Sequence, residues 1–170
     1  MSKINPKKFY EKAYEIMSVT PLPTNCGRLC DCLCCSNTDV GEGMYLYPFE
    51  EIMLKETSFA TLSPCDFKAG GREVTFMTCD GFCERDKRPL ACRIFPLVPY
   101  IGVDGEVQVI FDPRAVNFCP LEHKKITRKF KKQVMEVTNL LLKVSETRDF
   151  LIAQSRLIDD YMKIGLGEED

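Results

Sequence analysis

Histidine is almost missing from this chain of 170 residues; His123 is the only one, which leaves a cysteine–histidine metal shell little to draw on. An excess of one charge is also missing. Lys and Arg number 23 against 25 Asp and Glu, a net charge of -2, so there is no global pull toward nucleic acid or an anionic membrane. No apolar run approaches the roughly 20 residues of a transmembrane helix. The start, Met1-Ser-Lys-Ile-Asn-Pro6, lacks the apolar stretch of a secretory signal, so a cytoplasmic location is expected. There is no Gly-x-Gly-x-x-Gly after a strand, no P-loop, no Gly-x-Ser-x-Gly and no His-Glu-x-x-His. Repeats with a period of 20–50 residues and low-complexity linkers are absent too.

What is present is cysteine, ten of them, in a chain that is 45% hydrophobic and 28% charged. That composition belongs to an ordinary globular protein, and the length suits one domain over residues 1–170. In a reducing compartment a disulfide framework is disfavoured, and dense cysteine points to metal binding or redox chemistry. In a secreted chain the same cysteines would instead read as disulfides.

Apolar spacing predicts a helix over residues 4–18, ended by Pro21 and Pro23. A strand is expected over 44–47, then a helix from Pro48 to about 55, with Glu50 and Glu51 placed to favour its own N-terminus. Residues 59–67 read as irregular, 70–71 as a turn and 73–78 as a strand. The stretch 79–99 reads as a loop. Strands over 99–102 and 106–111 flank Val103-Asp104-Gly105 as a hairpin. A long helix is expected from Cys119-Pro120, buried through Ile126, Phe130, Val134, Val137, Leu141 and Val144. A break at 145–149 precedes a final helix stopped by Gly165. The expected class is α+β: a small antiparallel sheet and cysteine-rich loops packed with N- and C-terminal helices. The metal-binding core is expected over 26–120 and the C-terminal helices over 121–165.

Nine of the cysteines fall in irregular segments: Cys26, Cys30, Cys32, Cys34 and Cys35 within ten residues, then Cys79, Cys83, Cys92 and Cys119. So dense a first group leaves little room for apolar packing, and metal is an economical way to order it. Cys26/Cys30 and Cys79/Cys83 both have three intervening residues, which zinc sites permit. The vicinal pair Cys34-Cys35 is less usual in a simple zinc knuckle. An all-sulfur shell suits zinc and iron–sulfur clusters alike, and spacing does not separate them. Cys32 crowds its neighbours, and isolated Cys65 reads as a small buried hydrophobe.

The runs Cys26-Gly-x-Leu-Cys30-x-x-x-Cys34-Cys35 and Gly43-Met-Tyr-Leu-Tyr-Pro48-x-Glu50-Glu51 resemble the YkgJ-like cysteine-cluster family, described by a zinc- or iron-chelating domain. More specific are Cys79-Asp-Gly-x-Cys83, Arg88-Pro-Leu-Ala-Cys92-Arg-Ile-Phe-Pro96-Leu and Cys119-Pro120. The resemblance implies eight ligands: Cys26, Cys30, Cys34, Cys35, Cys79, Cys83, Cys92 and Cys119. It leaves out Cys32 and Cys65. Many members have Cys-x-x-Cys-x-x-Cys-Cys, where this chain is more widely spaced. Flagellin lysine N-methylases are similar in this region, which extends the implied chemistry to iron–sulfur enzymes of redox or group transfer.

Arg88 and Arg93 flank Cys92 and are expected to support the site, by offsetting thiolate charge or by fastening a proline-rich loop through backbone bonds. Lys124, Lys125, Arg128, Lys129, Lys131 and Lys132 form a basic run that reads as a solvated helix face, not a nucleic-acid surface, with His123 exposed among them. The expected partner is therefore a metal ion, as Zn2+ or an iron–sulfur cluster, with neither a membrane nor nucleic acid involved.

Overall fold

The computed structural model describes residues 4–24, 26–29, 31, 33–34, 43–80, 83–116 and 119–165. Helix α1, Pro6–Ile16, starts where Asn5 accepts the Lys8 N–H and Pro6 occupies the first turn. Strands β1 (Met44–Tyr45), β2 (Ala60–Ala69) and β3 (Arg72–Cys79) form one antiparallel sheet in the order β1-β3-β2. Helix α2, Leu90–Ile94, leads into the antiparallel hairpin of β4 (Leu97–Ile101) and β5 (Val107–Phe111). Two longer helices, α3 (Arg128–Leu141) and α4 (Ser145–Gly165), finish the chain. The class is α+β.

One cluster of buried side chains draws on nearly every element: Tyr10 and Ala13 from α1, Val74 from β3, Leu90 and Ile94 from α2, and Leu97 from β4. The predicted stripe closes it, since Ile126, Phe130, Val134, Val137 and Leu141 are all buried. Burying each phenylalanine or leucine here contributes roughly 2–3 kcal/mol. The six basic residues of 124–132 are exposed opposite that stripe. Helix α4 lies against the hairpin, where Ser155 Oγ accepts the Ile101 N–H at 2.9 Å and Tyr100 donates to Asp159 at 2.6 Å. Among the described residues no helix is long and apolar enough to cross a membrane.

Several elements differ from expectation for identifiable reasons. Residues 60–69 are a strand, not an irregular stretch. Pro64 lacks an N–H, but β2 is an edge strand and its register shifts between Pro64 and Lys68, which accommodates the proline. The helix expected after Pro48 is only a 3-10 turn, Glu50–Met53, because Phe49 has φ of 73° and cannot continue a helical path. The stretch after Cys79 is not all loop, since it holds α2 and the start of β4. Cys119-Pro120 opens another 3-10 turn, Pro120–His123, and α3 begins later, where Thr127 Oγ1 accepts the Phe130 N–H. Helix α4 begins at Ser145 itself. Thr147 Oγ1 donates back to the Leu141 and Val144 carbonyls and ties the new helix to the old one.

Candidate functional site

Helix α2 carries Cys92 and Arg93 but is only five residues long, and Pro89 before it supplies no side-chain cap. Glu50 does so from a distance. Its Oε1 accepts the Leu90 N–H at 2.6 Å and the Tyr14 hydroxyl at 2.8 Å, and its Oε2 accepts the Tyr47 N–H at 3.3 Å. The sequence reading of Glu50 as a charge for its own helix is thereby corrected: it reaches forty residues along the chain to fasten α1, the 50–53 turn and α2 together. Glu50 has no exposed surface. Burial pushes its carboxyl up to about 7, against the opposing pull of the three hydrogen bonds and the Arg93 charge.

The two flanking arginines divide the work expected of them. Arg93 lies 4.0 Å over the Tyr14 ring and donates from Nε to the Arg88 carbonyl and from Nη2 to the Asp86 carbonyl, both at 2.6 Å. It fastens backbone. Arg88 instead donates from Nε to Cys83 Sγ at 3.4 Å. Arg85 lies near Arg88 and Cys26. Desolvation and then the Arg88 charge lower its pKa, while Cys26 acts in the opposite sense.

The cysteines fall into neighbourhoods. Cys26 and Cys119, distant in sequence, share a small cluster with Ala115, Leu121, Leu22 and Phe95. Cys83 and Cys119 are buried. On α2, the Cys92 thiol donates to Met44 Sδ at 3.2 Å, and Cys92, Cys34 and Arg88 line one cavity. Cys79, at the end of β3, packs beside Leu46, Leu54 and Met77. Cys65 donates to the Val74 carbonyl at 3.0 Å across the β2–β3 pair and packs against the main core. Cys30, Cys32 and Cys35 lie outside the described residues. Among the described residues, no three Cys, His, Asp or Glu side chains come together closely enough to hold a metal ion. His123 is 84% exposed.

No protein-family model, curated protein or solved structure matches the chain.

Sequence reasoning missed Met44, Tyr47, the Asp112–Arg114 pair and Gln154, all of which line the cavity beside Cys92. Asp112 is 5% exposed and holds Arg114 through two bonds, Nε to Oδ1 at 2.9 Å and Nη2 to Oδ2 at 2.7 Å. Of these residues only the Asp-Pro-Arg order of 112–114 carried a signal, that of a capped turn.

Proposed function

We propose that the protein binds metal through its cysteines, as an iron–sulfur cluster or as zinc, in a reducing, cytoplasmic compartment. The family reading belongs to the same proposal: the chain is similar to YkgJ-like cysteine-cluster proteins through the motifs around Cys26–Cys35, Cys79–Cys92 and Cys119. The observation that carries it is Arg88, which donates to the Cys83 sulfur and borders the same cavity as Cys34 and Cys92. A guanidinium among thiols offsets the negative charge that several thiolates bring. Donor type fits a soft metal, and Cys26 packs against the small cluster that contains Cys119, which supports convergence of segments distant in sequence. The remaining candidate ligands of the proposed set are Cys30, Cys35 and Cys79. When bound, such a metal would tether these segments and, as an iron–sulfur cluster, would relay electrons between a donor and an acceptor. The chain's own contribution is to hold the thiols: Glu50 sets α2, and Arg93 fastens the loop ahead of it.

A second reading, an iron–sulfur enzyme of redox or group transfer, is favoured by the cavity itself, because a reacting centre needs room for a substrate beside it. One experiment addresses both: purification without oxygen, followed by metal analysis, visible absorption and acid-labile sulfide. Iron with sulfide and broad visible absorption is the outcome expected of a cluster, and stoichiometric zinc in a colourless protein that of a structural site. A folded protein with neither metal overturns both.

A further inference from the structure

Three sulfur-bearing side chains, Met44, Cys92 and Cys34, line the cavity of about 680 Å³ between α2, β1, β3, β4 and α4. Cys34 is exposed and the other two are half-buried, so all three are open to an ion arriving through the cavity. Two of the sulfurs already meet. Cys92 Sγ lies 3.2 Å from Met44 Sδ, although one comes from α2 and the other from the sheet edge β1, 48 residues away along the chain. A thiol is a weak donor and a thioether a weak acceptor, so the contact gains little as a hydrogen bond.

What thiol and thioether share is softness as metal ligands. Zinc sites take cysteine, histidine or carboxylate, and iron–sulfur clusters take cysteine thiolates, so a methionine adds little to either. A thioether beside a thiolate suits copper(I). Charge points to the same ion. Two thiolates around one monovalent cation carry a single negative charge, and Arg88 brings a positive one to the same lining. Asp112 and Arg114 cancel through their two bonds. A divalent ion on these sulfurs would instead leave the lining positive.

We propose that Met44, Cys92 and Cys34 form a copper(I) site, with Met44 as the residue that sets its preference over zinc. This rests on the reading that the cysteines bind metal, and it adds a ligand that is not a cysteine. On binding, the two thiols release their protons to solvent. The copper enters and stays monovalent, so no redox step is involved.

Cu(I) is the probe, titrated without oxygen into the full-length protein against bicinchoninate, a chelator whose coloured complex reports the copper left over. Met44→Leu should weaken the first equivalent of Cu(I) by at least about tenfold and leave zinc affinity unchanged. Cu(I) is diamagnetic, so the Met44 methyl NMR signal should also move in step with that first equivalent. The inference is overturned if Met44→Leu binds Cu(I) like the parent or if the Met44 methyl stays in place. It is also overturned if zinc affinity falls as far as copper affinity, since Met44 would then act through packing. If zinc or iron binds and copper shows no dependence on Met44, only the copper site is lost; if no metal binds at all, the metal reading of the cysteines is lost with it.

Discussion

Changing Glu50 to glutamine should remove a pH-dependent part of the stability. In the unfolded chain this carboxyl titrates near 4.5, and in the folded protein burial raises it to about 7. Below pH 4.5 the group is protonated in both states, and its contribution is fully present. As pH rises through the interval up to about 7, the unfolded chain ionises first. The folded state then binds more protons, and stability falls. The fall reaches about 3 kcal/mol, from roughly 2.5 pH units at 1.36 kcal/mol each, and is complete above the folded value. Glutamine keeps an oxygen for the Leu90 N–H and the Tyr14 hydroxyl but turns an NH2 toward the Tyr47 N–H, a constant cost of about 1–2 kcal/mol. Near pH 5 the variant should therefore be less stable than the parent, and near pH 8 equal or more stable. Arg93, Tyr14, Tyr47 and Tyr10 face the carboxyl, and as guanidinium and phenols they do not change charge in this interval. Urea unfolding followed by circular dichroism, at matched metal content and at several pH values between about 5 and 8, measures the difference. A parent-minus-variant difference that is flat across that interval refutes the reasoning.

Arg93→Ala should cost about 2 kcal/mol in urea unfolding, since it removes two charge-assisted bonds to backbone carbonyls and the stacking on Tyr14. Arg93→Lys should recover little, because a point charge does not reach both carbonyls from over the ring. Thr127→Ala removes the cap of α3 and should cost about 1 kcal/mol by the same measurement, with the helix content of the native state unchanged. If cysteine-bound metal orders the loops, a strong chelator or the double change Cys83→Ser and Cys119→Ser should lower the melting temperature; melting that matches the parent in both cases argues against a structural metal.

The elements legible in the sequence were those whose signal is local. The stripe from Ile126 to Leu141 repeats at helical spacing and is buried as that spacing requires. The Asp104-Gly105 turn works through its own atoms: Gly105 has φ of 82°, and the Glu106 N–H is accepted by Asp104 Oδ1. Where the deciding interaction is remote, the reading failed. Pro64 argues against a strand until β2 is known to be at a sheet edge, and edge position is a property of the whole sheet. Glu50 next to Pro48 looks like a local helix charge until α2 is placed beside it.

The same distinction bears on the cysteines. Spacing says which thiols are near each other along the chain, and by that measure Cys83 and Cys92 belong to one loop. In space Cys92 rides on α2, whose first N–H is held by Glu50 and whose own thiol meets Met44 on β1, whereas Cys83 is reached by Arg88. Cys26 packs against the cluster of Ala115, Cys119 and Leu121, and Cys79 against that of Leu46, Leu54 and Met77. The neighbourhoods are set by long-range contacts of a buried carboxylate, a methionine and an arginine, none of which is a cysteine. A ligand set transferred by motif therefore identifies candidate sulfurs, but which of them meet depends on Glu50, Met44 and Arg88. For that reason Glu50→Ala, which removes the cap that glutamine keeps, is informative about the cysteines too: α2 should loosen, and in a metal-binding protein metal content should fall before the fold does.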